Sequence, residues 1–404
     1  MKKRHCGMPD FSPARRSGLA LALALLCLSA IASLILTARA DEQAATSLPS
    51  SLIIGPDGNI WFTELTSSRI ARLTTSGTFL EFLTPTPHAQ PSSVTIGADG
   101  NLWFSEQSGN AIGRVTPTGH IREFRLPIKS TNADMVMLGP DKRVWFVSSG
   151  PYWHLSGTHP SHIWGVVDTS GSVREIPSTS KKGVPTNIMV GPDGNVWFDE
   201  PSTGSLMRVS PTLAVRAIKI PALLNVATNI LIGPDGNLWV HGENSIIRVT
   251  LDGIATKFAV PTASSQPRNL IVGPDGNIWF IERRGNKIAR MTPQGGHIVE
   301  FTLMSPQSDP GDLMVGPDKR LWFTEGTGNR IGRVSLDGEI SEFVVPAAGS
   351  YPRELLTGPD GNLWFTEPQS NRIGRITPAG DITEFPIPSR VDTRLEHTPP
   401  PKIH

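Results

Sequence analysis

The ten residues Gly191-Pro-Asp-Gly-Asn-Val-Trp-Phe-Asp-Glu200 decide the fold, because the chain carries eight versions of them. The tryptophans of these copies are Trp61, Trp103, Trp145, Trp197, Trp239, Trp279, Trp322 and Trp364, spaced by 42, 42, 52, 42, 40, 43 and 42 residues. Forty-odd residues make four short strands with their turns, which is the repeat of a β-propeller blade. Five copies keep Gly-Pro-Asp-Gly-Asn unchanged; Ala98 replaces Pro in one, and Asp141-Lys142-Arg143 and Asp318-Lys319-Arg320 vary two others.

In the copy quoted, residues 186–190 and 196–200 are short apolar runs joined by the Gly-Pro-Asp-Gly-Asn turn. Pro pre-sets φ, Asp caps the turn, and Gly accepts the positive φ of a tight hairpin. That chemistry accounts for the repeated Asp without calcium. A third strand at 371–377, a hairpin at Pro378-Ala-Gly380 and a fourth strand at 381–386 complete the last unit. The expectation is an all-β chain forming a single propeller of eight four-stranded blades, with seven as the rival count. A Trp at one phase of every blade belongs to the packing between blades, where burying about 200 Å² contributes roughly 5 kcal/mol gross.

A second regularity sets Glu64, Glu106, Glu200, Glu282, Glu325 and Glu367 three residues after their Trp, each followed eight residues later by Arg72, Arg114, Arg208, Arg290, Arg333 or Arg375. Antiparallel neighbours with this spacing read as a cross-strand ion pair, which makes the six acids scaffold. The third unit has Ser148 for Glu and Val166 at the matching place, and the shortened fifth unit has Gly242, Glu243 and Arg248.

The 404 residues, 38% hydrophobic with a net charge of +1, are ordinary globular material. Residues 1–40 read differently: Lys2, Lys3, Arg4, Arg15 and Arg16 precede an apolar run from Leu19 to Leu36, and Ala38-Arg-Ala40 offers a cleavage site. This is an export signal or, uncleaved, an N-terminal anchor. Both cysteines, Cys6 and Cys27, lie in it, so the propeller (residues 41–389) has neither disulfide nor thiol nucleophile. Without residues 1–40 the chain holds 31 basic and 35 acidic residues, a balance that gives no reason for a nucleic-acid partner. Residues 390–404, with Pro399-Pro-Pro401, read as a disordered tail. The expected product is an exported monomer, periplasmic, extracellular or envelope-associated, touching a membrane only through the anchor.

Function belongs on the rim that carries the variable B–C and D–A connections. Strand A is innermost, so its first residues ring the channel mouth: Ser50-Ser51, Ser92-Ser93, Ala133-Asp134, Thr186-Asn187, Thr228-Asn229, Arg268-Asn269, Gly311-Asp312 and Arg353-Glu354. Asp134, Asp312 and Glu354, with the Asn residues, offer oxygen ligands to Mg²⁺ or Ca²⁺. Arg268 and Arg353, with Arg283 and Arg284 and beside Asn269, offer a clamp for a carboxylate. The third unit is ten residues long for its period, and the extra segment brings Tyr152, Trp153, His154 and His159, with Trp153 and His154 as ligand contacts. His241, at the end of strand B in the fifth unit, and Glu243 are the candidates for acid–base chemistry.

The repeat GPDGNLWFTE followed by NRIGRITPAGDITEF resembles the virginiamycin B lyases, or streptogramin lyases, over roughly residues 48–389. The resemblance implies a propeller, usually seven-bladed, that linearises cyclic depsipeptides by magnesium-dependent elimination. It also implies an acid-Pro-His-Gly-Ile stretch at one strand-A start and a metal-binding acid soon after the same blade's Trp. Here the residue after Pro is Ser92, Thr186, Arg268, Gly311 or Arg353, and only Glu243 sits where the late acid falls.

Two classes of function follow. One is a binding propeller that takes a small molecule or peptide at the variable rim. The other is an enzyme, either a metal-assisted carbon–oxygen lyase or a lactonase-type propeller. If the signal is cut at its small-residue site, exported protein begins near Asp41. Intact-mass measurement of exported protein checks this, and retention of residues 1–40 identifies an anchor.

Overall fold

The computed structural model describes residues 47–128, 132–149, 162–177, 185, 187–223, 226 and 229–388. The expected signal, the tail, and Trp153 and His154 of the third unit's extra segment lie outside the described residues. Eight antiparallel four-stranded sheets form a propeller ring, each running A to D in chain order. The first blade is Pro49–Ile54, Ile60–Glu64, Arg69–Leu73 and Phe79–Leu83; the eighth is Leu355–Thr357, Leu363–Glu367, Arg372–Ile376 and Ile382–Pro386. The blade count is eight, not seven, and no blade borrows a strand from another unit.

The repeated motif works as an anchor for its Trp. In the first blade the indole Nε1 donates to Asp57 Oδ1 at 2.8 Å, and the same bond recurs in the other seven at 2.9 to 3.0 Å. The turn's first Gly is required because the indole lies on it: a Cβ at Gly191 would stand 2.4 Å from the Trp197 ring. Where Lys319 replaces the second Gly it takes the left-handed conformation itself, with φ 60°. All eight rings are fully buried. Trp61 packs among Val94, Leu102 and Phe104 of the second blade, and Trp364 among Ile60, Phe62 and Leu73 of the first, so the ring closes with the contacts used elsewhere.

The expected Glu–Arg pairs do not form. A four-residue B–C turn places Glu64 opposite Arg69 and Trp61 opposite Arg72. Arg72 therefore lies over the indole, 5.8 Å from its centroid, and pairs with Asp57 at 3.1 Å. It also donates to Pro117 O in the next blade's C–D turn at 3.2 Å. Arg114, Arg290 and Arg333 reach their next blades in the same way, and Arg375 reaches Thr75 O of the first. In the third blade Val166 holds the arginine's place, and it too stands opposite Trp145, not Ser148. Arg143 of the turn takes over there, pairing with Asp141 at 2.6 Å and donating to Pro211 O at 2.9 Å.

The six Glu are buried instead. Five of them lie close enough to a strand-D acid, Glu81, Glu123, Glu300, Glu342 or Glu384, for like charges to repel. Burial first, then this neighbour, pushes Glu64, Glu282, Glu325 and Glu367 up to about 7 and Glu106 up to about 9. The strand-D acids fasten the loop leaving the previous blade. Glu123 accepts from Thr86 N at 2.7 Å, Glu300 from Thr262 N at 3.0 Å, and Glu384 from Ala347 N at 2.7 Å.

A carboxyl with a raised folded pKa binds more protons folded than unfolded between its two pKa values. Stability from Glu325 is thus fully present below about pH 4.5 and declines as pH rises to about 7. A neutral amide removes that slope. Glu325→Gln should gain on the order of 2 kcal/mol relative to the wild type between pH 5 and pH 8. Denaturant melts of both proteins at the two pH values measure the difference; an ion-paired Glu325, ionised throughout this range, gives no such gain.

Candidate binding site at the channel mouth

In five blades the residue just before the strand-A proline has a left-handed backbone. Leu48, Gln90, Gln266, Asp309 and Tyr351 hold φ between 48° and 56°. Such a conformation costs a non-glycine residue about 1 kcal/mol. It recurs because it turns the carbonyl toward the same blade's B–C turn. Leu48 O accepts from Leu65 N at 3.2 Å, Gln266 O from Arg283 N at 3.2 Å, and Asp309 O from Gly326 N at 3.1 Å. The backbone is common to the five blades; the side chain it presents at the mouth is not.

Strand A then bulges, interrupting the ladder between Pro49 and Leu52 and at the matching places in other blades. The freed amides are met from the preceding blade. Ser51 Oγ accepts from Val94 N at 3.3 Å, Ser93 Oγ from Val136 N at 3.3 Å, Asp312 Oδ2 from Leu355 N at 2.9 Å, and Glu354 Oε2 from Leu52 N at 3.1 Å. The polar ring read from the sequence thus stitches the inner strands together. Asp312 Oδ1 also accepts from Leu313 N at 2.9 Å and Asn269 Nδ2 at 3.4 Å. Asp312 and Glu354 open partly onto the channel, but the protein around them pushes both up, Glu354 to about 7 through burial and then the Asp312 charge. Asp134 accepts from Gln107 Nε2 at 3.1 Å.

These donors do not fit the magnesium site that the resemblance implies. Asp312 and Glu354 spend oxygens on backbone amides, no imidazole stands at a described strand-A start, and no three His, Cys, Asp or Glu among the described residues are placed to share an ion.

What converges instead is a set of three arginines with three carboxyls, two of which are pushed toward their neutral forms. A cavity of about 590 Å³ opens at the mouth, walled by Arg268, Asn269, Arg283, Asp312, Arg353 and Glu354, with Asn229, Asp309 and Tyr351. Arg283 chelates Asp309, Nη2 to Oδ2 at 2.9 Å, which holds that carboxyl below its usual range. The Tyr351 hydroxyl donates to the same Oδ2. Arg353 is exposed and lies 5.4 Å over the Tyr351 ring. Arg268 is half-buried, and its Nε has no hydrogen-bond partner among the described residues. Burial, then Arg283, pulls its pKa down.

His241 is buried at the end of its strand, while Glu243 is exposed on the turn that follows. Burial, and next the Arg268 charge, lower the imidazole to about 4. Asp309 and Tyr351 escaped the sequence reading, which began each pair two residues later, after the proline. Their signal was the residue before the strand-A proline, where Asp309-Pro310 keeps the acid-Pro of the family stretch but continues with Gly311.

The sequence profile of the virginiamycin B lyase family matches residues 28–151, 149–310 and 230–393. The chain belongs to this family. Virginiamycin B lyase from Staphylococcus aureus is similar at 26% identity and TM-score 0.56, over 82% of this chain and 96% of that one. A catalytically inactive histidine-to-alanine form of that enzyme, solved with quinupristin, is 27% identical with TM-score 0.55, over 81% and 94%. The dihydro-heme d1 dehydrogenase NirN has TM-score 0.64 at 13% identity over 83% and 75%, a likeness of fold alone. No curated protein sequence matches. Within this lyase family, then, the chain presents arginines at the strand-A starts of its sixth and eighth blades.

Arg268→Gln should let the His241 pKa rise from about 4 while burial keeps it below the ordinary 6.5. Imidazole proton shifts followed over pH 3–8 measure it; an unmoved midpoint separates the two side chains electrostatically.

Proposed function

We propose that this member of the virginiamycin B lyase family is exported and binds a small molecule or peptide through a carboxylate at the channel mouth, without eliminating it. One observation carries the reading: Arg268 is half-buried beside Arg283 and Arg353 with its Nε unpaired among the described residues. A partly desolvated guanidinium gains most from a planar anion, which it bonds along an edge.

Elimination demands more. A base must take a proton from carbon, and its pKa should lie near the working pH. His241, lowered to about 4, is neutral at pH 7 but a weak acceptor. The similar Staphylococcus aureus enzyme is inactive when a histidine becomes alanine. Here Ser92, Arg268, Gly311 and Arg353 stand where a strand-A histidine is expected after proline. Export rests on the basic residues before the apolar run at residues 19–36.

The test incubates purified protein with a streptogramin B and Mg²⁺ and looks for the opened ring by chromatography and fragmentation, since the product is isomeric with its substrate. No opened ring is expected. Turnover that disappears in His241→Ala overturns the reading. In parallel, acetate titrated against the protein should shift Arg268 and Arg353 side-chain resonances, and Arg268→Gln should weaken that binding at least tenfold.

A further inference from the structure

The cavity at the mouth does not end at Arg353. A second cavity of about 270 Å³ lies beyond it, between Leu48, Pro49 and Leu65 of the first blade and Tyr351, Thr366 and Pro368 of the eighth. Tyr351, Arg353 and Glu354 line both spaces. We propose that the two form one site for an amphipathic carboxylate, with an aromatic or branched aliphatic group in the side pocket and the carboxylate on Arg353 and Arg268. This rests on reading the mouth as an anion site and adds what accompanies the anion.

The pocket has the size and wall for such a group. An apolar cavity of about 150 Å³ holds benzene, so this one admits a ring with a short substituent. Half of its wall is Leu48, Pro49, Leu65, Pro368 and the Tyr351 ring; the rest is polar, with Glu354 and with Arg353 as its one cation.

The partition between the spaces is fixed in place. The Tyr351 ring lies against Gly326, where an added Cβ would meet Cζ at 2.9 Å. Its hydroxyl is held by Asp309, and the Arg353 guanidinium covers a face. Among Leu48, Gln90, Gln266, Asp309 and Tyr351, which share one left-handed position before proline, only the last is aromatic. Gly326 follows its strand where other blades place Leu65, Gln107, Arg283 or Pro368. An aromatic at one position and the glycine that admits it at the other make a shaped wall. The charges divide accordingly: Asp309 neutralises Arg283, and burial pushes Asp312 and Glu354 toward their neutral forms, which leaves Arg268 and Arg353 for an incoming carboxylate. A bare anion leaves the side pocket empty, and a neutral apolar molecule leaves two guanidiniums unmatched.

The probes are N-acetyl-L-phenylalanine, its primary amide and acetate, titrated by calorimetry into the full chain. N-acetyl-L-phenylalanine should bind at least tenfold more tightly than either of the others. Leu65→Trp fills the side pocket and should reduce N-acetyl-L-phenylalanine to the level of acetate while acetate is unaffected. Gly326→Ala, whose methyl displaces the Tyr351 ring, should weaken the same probe several-fold, and it guards against misfolding of the first variant. Equal binding of acetate and N-acetyl-L-phenylalanine, with both variants silent, overturns the side pocket and leaves the anion site standing. Equal binding of the acid and its amide overturns the anion site and this inference with it.

Discussion

One carboxylate per blade organises this molecule. The indole N–H sits where blades press together and water is excluded, and an unmet donor there costs about 1–3 kcal/mol. The turn Asp four residues upstream accepts it, and with its other oxygen draws in an arginine that reaches the neighbouring blade. Turn, blade core and blade junction therefore hang on the same side chain. The third blade shows how firm the requirement is: lacking the strand-C arginine, it supplies Arg143 from the turn itself.

The two rims divide the acids by environment. On the hairpin rim, burial of Asp57 and its counterparts opposes ionisation, but hydrogen bonds from Asn and Trp outweigh it and keep them charged. On the opposite rim, Glu64, Glu325 and Glu367 have acids for neighbours and hold protons near neutrality. Arginine is thereby committed to the hairpin rim in blade after blade. At the mouth it appears at two strand-A starts, Arg268 and Arg353, and on one B–C turn, Arg283. A uniform frame with neutralised acids is a setting in which three cations stand out.

The fold was legible because a period of forty-odd residues tolerates few architectures, and the Trp phase identified the junctions. The Glu–Arg reading failed on one quantity, the length of the B–C turn. Residues 65–68 turn the chain so that position 64 meets 69, which slides every arginine from Glu to Trp. At the mouth, Arg268, Asn269, Arg283, Asp312, Arg353 and Glu354 were all named from the sequence and line one cavity. Asp134 is not among its lining residues, and Glu243 is exposed. Asp309 and Tyr351 were invisible because their placement depends on a left-handed φ before proline, which no hydrophobic pattern encodes.

At the junction of the eighth and first blades, the last unit in chain order has to be joined to the first. Asn371 does that work, accepting from Ser47 N and Oγ while donating to Ile387 O, with Arg375, Glu354 and Trp364 beside it. It is the ring's clasp, made with the same bonds that Asn244, Asn286 and Asn329 form with Ser265, Ser308 and Ser350 at other junctions. The smaller cavity lies in this clasp, with walls from both of its halves. Anything lodged there fastens one end of the ring to the other, so occupancy and closure of the circle become a single equilibrium.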